Sequence, residues 1–418
     1  MKSNLNGLRS SMHILFLTDN FPPEGNAPAT RTYEHAREWV KLGHKVTVIT
    51  GAPNFPEGKV FDGYKNNWYS KSDLDGIEVR RVKTYITANE GFIKRILDFI
   101  SFMFSSFIAG LFVKKPDIIV GTSPQFFTAV SAWALSAVRF KPFVFELRDI
   151  WPASITAVGA MKDSFAIRML EKLEMFLYKR ADSIISVTNA FKRELIERGV
   201  DGDKIDVVLN GVDLARYQPL SEKDNELSNK YNLQGKFVAG YIGTHGMAHG
   251  LESIVNVAEQ LKGNDNIRIL FAGGGAARKK VVDLVAQKKL SNIVLIDRQP
   301  KEMMPKIWSL CDVSLVPLVN NDLFRTVIPS KIFECMGMGI PTIMSVPEGE
   351  ATEIIKKTGS GLVVDSENDT QIKNALLQLY SDKELYNGLR VASFRCAKEF
   401  SRSNNAMLME KIFSRLKS

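Results

Sequence analysis

Short apolar runs alternate with helical patterns along most of the chain. Each run is rich in Val, Ile, Leu and Phe, is bounded by Gly, Pro or polar residues, and has the length of a strand. A first series lies at residues 13–18, 45–50, 77–82, 117–122, 142–147 and 183–188, and a second at residues 236–243, 267–273, 292–297, 312–318 and 341–345. Because the runs are apolar almost throughout, the pattern predicts parallel sheets that helices cover on both faces.

A polar segment separates the two series. Residues 217–236 carry a proline and no strand pattern, as expected of a linker. We therefore predict two doubly wound, Rossmann-like α/β domains, residues 12–214 and 215–399. Open α/β sheets bind ligands beyond the carboxyl ends of their strands, so two such sheets facing each other would form a cleft for two substrates. An amphipathic helix at 404–416 follows, and its pattern assigns it to neither domain.

The cysteine and histidine content argues against a metal centre or a disulfide framework. The three cysteines are widely spaced with no CxxC, and the five histidines show neither HExxH nor HxH spacing. We expect no metal cofactor, no disulfide and a reducing compartment. Residues 1–11 are polar and the apolar run after them is short, so we expect no signal peptide.

The formal charge of +9 is concentrated in one part of the chain. Residues 80–115 hold seven basic and two acidic side chains around the uncharged run 99–113. A basic segment with an apolar centre suits an anionic membrane surface better than a nucleic acid. The helix expected within residues 92–113 is either a buried core helix or an interfacial helix. A true span is the third choice, because a span needs about 20 apolar residues.

A glycine-containing loop in the second series could hold a phosphate group. Within the segment 240–254, the predicted strand ends at Gly243, and a loop with Gly246 and His249 leads into a helix. Glycines allow the backbone to approach a phosphate closely, and a helix N-terminus favours an anion. His249 could donate a hydrogen bond to the phosphate, the alternative being a structural histidine. Arg298, which follows another strand of this series, is a further donor-side candidate.

The segment 328–343 carries the clearest chemical pattern. Ser330 is a predicted N-cap, and Lys331 and Glu334 fall in the first turns of the helix that follows. A glutamate there can accept two hydrogen bonds from a ribose diol, and a lysine at the positive helix end can neutralise a diphosphate. Arg325, just upstream, could do the same. The alternative is a capping pair with a solvated lysine.

The loop after the first strand offers a second possible anion site. Gly25 and Asn26 lie just before a helix N-terminus, where backbone N–H groups favour a phosphate. The loop contains neither GxGxxG nor GxxxxGK[ST], so the dinucleotide and P-loop fingerprints are absent. A proline-rich loop with an N-cap is the alternative. Asp73 and Asp75 spell a DxD, but their Gly- and Asp-rich setting predicts a turn.

Polar residues follow two further strands of the first series. Arg148, Asp149 and Trp151 come directly after one strand, and Ser123 follows the strand before it. We expect them to line the acceptor side of the cleft. Asp149 is the candidate general base or ligand of an acceptor hydroxyl. The alternative is an Arg–Asp pair with a packing tryptophan.

The order of these segments resembles a known family over nearly the whole chain. The segments are FPPEGNAPATR, LGHKVTVIT, VLNGVD, GYIGTHGMAHGLESI and PSKIFECMGMGIPTI followed by EATEII. Together they resemble the retaining GT-B glycosyltransferases of family four. The combination of TSP, FELRDIWP and VIPSKIFE is most similar to bacterial transferases of O-antigen, capsule and colanic-acid assembly, among them N-acetyl-L-fucosaminyl transferases.

The resemblance implies a UDP-sugar donor in the second domain and a lipid-linked (undecaprenyl-diphosphate) saccharide acceptor in the first. It also implies that the last helix, within residues 400–418, packs back on the first domain. We expect no metal if side chains carry the phosphate charge, and we expect the basic and apolar segment 80–115 to hold the enzyme on the cytoplasmic face of the inner membrane. Glu334 matches the family's ribose-binding glutamate. The sequence departs from the family pattern in two ways. Thr326 replaces a first glutamate, and Thr244 and His249 replace an arginine and a lysine. The diphosphate charge is then expected to fall to Lys331 and Arg325.

Two other classes of protein stay open on the sequence alone. A sugar-nucleotide epimerase of the same fold would need no acceptor. A non-catalytic nucleotide-binding module or an NAD-dependent oxidoreductase would also contain Rossmann-like domains, although the missing GxGxxG opposes the oxidoreductase.

Overall fold

The computed structural model describes residues 11–55, 57–87, 92–150 and 165–417. These residues form two units. One unit runs to Leu209 and takes in the chain from Asn405 onward, and the other is Asn210–Asn404. The change of unit at residues 209–210 lies a few residues before the boundary expected at 214–215. Trp151 lies outside the described residues.

The first unit is built on an eight-stranded sheet. Its strands are β1 (His13–Leu17), β2 (Lys45–Thr50), β3 (Tyr69–Leu74), β4 (Ile77–Val82), β5 (Ile118–Thr122), β6 (Phe143–Leu147), β7 (Ser183–Ser186) and β8 (Ile205–Val207). They lie in the order β3-β4-β2-β1-β5-β6-β7-β8, and every neighbouring pair is parallel except β3 with β4. In this register Leu15 of β1 lies between Thr47 and Ile119. Every residue of β1, β5 and β6 is buried, as the uninterrupted apolar runs predict.

Helices cover both faces of this sheet. They are α1 (Ala27–Lys41), α2 (Phe92–Leu111), α3 (Phe126–Arg139), α4 (Phe165–Arg180) and α5 (Asn189–Glu197). Phe102 of α2 and Leu135 of α3 belong to one core cluster, whereas Trp39 of α1 belongs to a cluster that contains Phe16 of the central strand. The antiparallel strand β3 joins β4 through a turn at Asp75 and Gly76. Asp73 is in β3 and accepts the Gly76 N–H at 3.1 Å, so of the DxD only Asp75 lies in the predicted turn.

The second unit is built on a six-stranded sheet whose neighbouring strands are all parallel. The strands are β9 (Phe237–Ile242), β10 (Ile267–Ala272), β11 (Ile293–Ile296), β12 (Val313–Pro317), β13 (Thr342–Ser345) and β14 (Gly361–Val364), in the order β11-β10-β9-β12-β13-β14. Its helices are α6 (Asn225–Lys230), α7 (Leu251–Gln260), α8 (Arg278–Lys288), α9 (Met304–Ser309), α10 (Lys331–Met338), α11 (Glu350–Thr358), α12 (Asp369–Ser381) and α13 (Lys383–Cys396). The chain moves outward from β9 to β11 and then returns to β12 on the other side of β9. The carboxyl ends of β9 and β12 therefore form the topological switch point, where open α/β sheets bind ligands.

The last helix, α14 (Arg402–Lys417), packs its apolar face on the first unit. Ala406, Met409 and Phe413 are buried in the cluster that contains Trp39. The Trp39 indole Nε1 donates to the Ala406 carbonyl oxygen at 3.0 Å, and its ring lies 5.3 Å from the ring of Phe413. The apolar period of residues 404–416 therefore corresponds to a docked helix.

Helix α2 has one face in the core and one apolar face exposed. Phe102 and Ser106 are buried, and the Ser106 hydroxyl lies 2.8 Å from that of Ser131 on α3. Phe104 and Ile108 lie on the other face and are 58% and 56% exposed. None of the helices in the described part of the chain has the length and hydropathy of a membrane-spanning segment. The core interpretation therefore holds for one face of α2, and the interfacial interpretation stays a prediction for the other.

Candidate active site

The carboxyl end of β9 opens into a turn that holds the side chain of Lys331. Gly243 follows β9 with φ +137°, and a β-carbon there would lie 3.3 Å from the Lys331 Nζ. Lys331 is the first residue of α10, and its Nζ lies 3.7 Å from the centre of the Tyr241 ring. This Nζ is buried and has no hydrogen-bond partner among the described residues. Burial lowers the pKa of Lys331 to about 7, against the opposing effects of Cys335 and Glu334.

Two histidines stand beside this lysine in the loop after β9. His245 is fully buried, and neither of its ring nitrogens has a hydrogen-bond partner among the described residues. Burial, followed by the charges of Arg278 and Lys331, lowers the pKa of His245 to about 4. Burial and Lys331 likewise lower the pKa of His249 to about 4. Both imidazoles are therefore neutral at pH 7, and each carries a single N–H donor.

Glycines allow the loops after β9 and β10 to pack backbone against backbone. A β-carbon on Gly273 (φ +138°) would lie 1.9 Å from the Gly243 carbonyl oxygen, and one on Gly275 (φ +146°) would lie 2.7 Å from that of His245. The His245 N–H donates to the Gly274 carbonyl oxygen at 2.9 Å. Gly273 and Gly275 therefore let the loop after β10 pack against the loop that begins at Gly243.

The second glycine of the predicted phosphate loop begins a short turn. Gly246 precedes a single 3₁₀ turn, Met247–His249, after which Gly250 (φ +52°) leads into α7. The His249 Nδ1 lies 3.3 Å from the Gly246 carbonyl oxygen, and its ring lies 5.7 Å from the ring of Tyr241. The predicted donor-side residues Gly243, Gly246 and His249 are therefore brought together around the lysine.

Helix α10 positions the glutamate that the sequence analysis assigns to the ribose. The Trp308 Nε1 donates to the Glu334 Oε2 at 3.0 Å, and Trp308 is fully buried. This contact fixes the carboxylate one turn into the helix. Ser330 does precede the helix, but its side chain makes no capping hydrogen bond, so its predicted capping role is wrong. Its backbone is already helical (φ −60°, ψ −24°), whereas a capping side chain needs an extended residue.

Two predicted basic residues lie at the surface. Arg325 is in a 3₁₀ turn, and its Nε lies 2.8 Å from the Asp322 Oδ1 in an exposed ion pair. Arg298 follows β11 and is exposed. A β-carbon added to Gly274 would lie 3.8 Å from the Arg298 β-carbon. The described contacts join neither residue to Lys331, so the roles predicted for them stay predictions. In the described ranges, no group of three or more His, Cys, Asp or Glu is arranged to hold a metal ion.

In the first unit, the predicted phosphate loop is organised by its own side chains. The Asn26 Oδ1 accepts from the Ala29 N–H at 3.0 Å and caps α1, while its Nδ2 donates to Asn20. The buried Glu24 carboxylate accepts N–H groups of Asn54 and Phe55 at 2.8 and 2.9 Å. Gly25 lies between these two residues with open space at its α-carbon. The N-cap interpretation of this loop is confirmed, and its binding of a phosphate stays a prediction.

Ser123 shapes the turn that carries the candidate base. Its buried hydroxyl accepts the N–H groups of Arg148 at 2.7 Å and Asp149 at 3.2 Å. Arg148 and Asp149 are both half-buried at the carboxyl end of β6. Ser123 therefore orients this turn, and Asp149 stays the predicted acceptor-side residue.

An acid at the end of β1 was missed by the sequence analysis. Burial raises the pKa of Asp19 to about 7, and the carboxylates of Glu24 and Asp98 add to the effect. Burial also raises the pKa of Asp98, on α2, to about 7. The available signal was an aspartate directly after an apolar strand. Tyr241, whose ring contacts Lys331, was also missed, because in the sequence it is one of several apolar residues of a predicted strand.

The chain is similar to known glycosyltransferases along most of its length. The model described as Glycosyltransferase Family 4 matches residues 28–216, and the one described as Glycosyl transferases group 1 matches residues 223–393. A relative from Escherichia coli, named as a colanic acid biosynthesis glycosyl transferase, WcaI, is 26% identical over 335 residues, which are 78% of this chain and 82% of the relative.

Solved structures show the same fold. The sucrose-phosphate synthase of Thermosynechococcus elongatus has a TM-score of 0.78 at 15% identity, covering 97% of this chain and 99% of that one. HepE of Anabaena, in complex with UDP and glucose, has a TM-score of 0.69 at 15% identity, covering 97% and 100%. With the order of the two sequence matches and the two Rossmann-like units, these likenesses show a glycosyltransferase of the GT-B fold, whose first unit matches family 4 and whose second unit matches group 1.

Proposed function

We propose that this glycosyltransferase moves a sugar from a UDP-sugar to a lipid-linked saccharide, with retention at the anomeric carbon, in the assembly of a bacterial surface polysaccharide. The observation that carries the proposal is the buried Lys331 amine, which lies at the switch point of the second sheet and has no hydrogen-bond acceptor in the described part of the chain. A buried amine without an acceptor is costly unless a ligand supplies one. The diphosphate of a nucleotide-sugar does so.

The proposed orientation of the donor follows from two groups of residues, one for its diphosphate and one for its ribose. The diphosphate is placed against Lys331 and the N–H groups of the glycine loop. His249 would donate to it when its N–H leaves the Gly246 carbonyl oxygen. The ribose diol is placed on Glu334, whose carboxylate Trp308 holds. The structure of HepE with UDP and glucose supports a uridine nucleotide as the first one to test.

The chemical step needs stabilisation of the leaving diphosphate. Negative charge develops on the phosphate oxygen as the sugar–oxygen bond breaks, and a preorganised ammonium lowers that barrier more than it stabilises the bound substrate. The leaving phosphate takes the proton of the attacking acceptor hydroxyl, so Asp149 serves to orient the acceptor. Arg325 can add charge when it exchanges Asp322 for the donor. Side chains carry the phosphate charge, and the mechanism uses no metal ion.

Product analysis tests the proposal directly. The protein would be incubated with UDP-sugars, UDP-N-acetyl-L-fucosamine first, with and without an undecaprenyl-diphosphate-linked saccharide. We expect a glycosylated lipid of retained anomeric configuration and release of UDP that depends on the acceptor. Conversion of the sugar nucleotide to an epimer without acceptor would instead establish the epimerase, and an inverted product would contradict retention.

The acceptor class is proposed from the exposed face of α2. Phe104 and Ile108 share this face, and Phe112, which follows the helix, is 73% exposed. Exposed basic pairs lie at 94–95 and 114–115. An apolar face between basic groups binds an anionic leaflet, which would hold the enzyme on the cytoplasmic face of the inner membrane beside a polyprenyl-linked acceptor.

Charged substitutions on this face are expected to release the protein from vesicles. Each buried Phe or Ile contributes about 1.5–3 kcal/mol, so the double substitution Phe104→Glu and Ile108→Glu should weaken binding to phosphatidylglycerol vesicles at least about tenfold. Co-sedimentation measures the bound fraction. Val391→Glu, at a residue of the second unit that is 66% exposed, is the matched control and should bind normally. Equal binding of all three proteins would refute the membrane proposal.

A further inference from the structure

Tyr241 occupies the centre of the donor pocket. Besides Lys331, its ring faces His245, whose ring centre lies 5.5 Å away, and His249, at 5.7 Å. Phe271 of the neighbouring strand β10 lies behind it, at 6.3 Å. The Tyr241 hydroxyl donates to the Thr244 carbonyl oxygen, so the ring cannot rotate away from the lysine. The position of the amine is therefore set by one aromatic face.

The groups around the amine determine its charge state before a ligand enters. His245 and His249 face it from the loop after β9, and Arg278 at the start of α8 acts on His245. Glu334 and Cys335 lie on its own helix. Burial is the largest effect, and it holds the pKa of the amine near 7. A diphosphate would reverse the balance, because an anion in contact favours the charged amine.

We propose that Tyr241 is a positioning residue, whose ring face holds the Lys331 amine beneath the glycine loop until the donor diphosphate takes it over, with uptake of a proton onto the amine. The inference rests on the proposed function, since it names what the donor meets in that pocket. The ring face packs against the amine before it is charged and attracts it once it becomes an ammonium. It lacks the charge and directional demand of a carboxylate, so it can orient the amine without competing with the diphosphate for it. The proton comes from solvent on binding and returns to solvent on release.

Proton uptake can be measured on the unaltered protein. Calorimetric titration with UDP at pH 8, in two buffers of different ionisation enthalpy, gives the number of protons bound per ligand. At that pH the phosphates of UDP are already ionised, so they contribute no proton. We expect an uptake of between about one half and one proton, as follows from a free pKa near 7 that rises on binding. Zero uptake would overturn the inference.

A double-mutant cycle tests the positioning role itself. Tyr241→Leu removes the ring and should weaken UDP binding about tenfold, whereas Tyr241→Phe retains the ring and should bind nearly as tightly as the original protein. In a Lys331→Met background, Tyr241→Leu should have almost no further effect. An equal loss in both backgrounds would show that the ring acts only by shape.

The outcomes separate this inference from the proposal beneath it. If the original protein binds no nucleoside diphosphate, the proposed function fails. If it binds UDP without proton uptake, or if the Tyr241→Leu effect does not depend on Lys331, only the positioning role fails. Thermal unfolding of each variant shows whether it is folded. If Tyr241→Leu is not folded, Tyr241→Phe and the proton count still decide the matter.

Discussion

Lys331→Ala is expected to reduce sugar transfer by about 10²–10³-fold or more while the protein stays folded. Removing one preorganised hydrogen-bond donor from a developing oxyanion has an effect of this size. Among the described residues, no amine other than that of Lys331 lies beside Gly243. The free energy of unfolding should not fall, because the substitution removes a buried amine that has no hydrogen-bond acceptor among the described residues. Release of UDP from the UDP-sugar, in the presence of lipid-linked acceptor, measures the effect.

A surface lysine in the same unit provides the control. Lys357 is exposed on α11, and Lys357→Ala should transfer sugar at the original rate. Unchanged transfer by Lys331→Ala would remove this lysine from the mechanism and leave the diphosphate charge to Arg325 or Arg298.

Arg31→Met is expected to destabilise the first unit by about 3–5 kcal/mol. The Arg31 Nε donates to the Glu146 Oε1 at 2.9 Å with both side chains buried, and the other guanidinium nitrogens donate to the carbonyl oxygens of Val208 and Leu209, each at 3.0 Å. The Thr122 hydroxyl donates to the second Glu146 oxygen at 2.7 Å. Removing the arginine therefore takes the main partner from a buried carboxylate and from the Val208 carbonyl oxygen, whereas the Leu209 carbonyl oxygen keeps the Asn405 Nδ2 at 2.9 Å. Chemical denaturation monitored by circular dichroism measures the free energy of unfolding.

Two further results check this prediction. One is a control substitution on the same helix, and the other is the pH dependence of the free energy of unfolding. Lys41 forms an exposed ion pair with Glu38, so Lys41→Met should change the free energy of unfolding by less than about 1 kcal/mol. Burial alone would raise the pKa of Glu146, but Arg31, Arg148 and Thr122 hold it below its usual range. This contribution to stability is complete above the pKa of an unfolded glutamate and is lost as the pH falls through the lower folded pKa. A loss similar to that of Lys41→Met would contradict the account of the buried pair.

The strands that the sequence predicts best are those buried on both faces. Eleven apolar runs become strands β1, β2, β4–β7 and β9–β13, because a parallel strand between two helical layers needs apolar residues at every position. Strand β3 was missed because Tyr69–Leu74 is polar and mostly exposed, and its antiparallel pairing with β4 is what orders it. Strands β8 and β14 were also missed, because they are short and mostly half-buried and so lack a fully apolar run.

Local chemistry was predicted better than contacts between distant segments. The glycines after β9 and the start of α10 at Lys331 follow from short patterns of turn and helix-forming residues. The contact of that lysine with the Tyr241 ring depends on how two segments about ninety residues apart in the chain pack together. No local sequence pattern predicts such a contact. The same holds for Ser123, whose hydroxyl holds a turn that lies on the next strand of the sheet.

Calorimetric titration with UDP, GDP and NAD in turn tests most directly the claim that the second unit binds a nucleotide-sugar. We expect UDP to bind, and Glu334→Ala to lose most of that affinity, because a ribose diol would lose the carboxylate that Trp308 positions. Glu353→Ala, at an exposed residue of α11, should bind UDP unchanged. Binding of NAD alone, of no nucleotide, or of UDP equally to the original protein and Glu334→Ala would contradict the account.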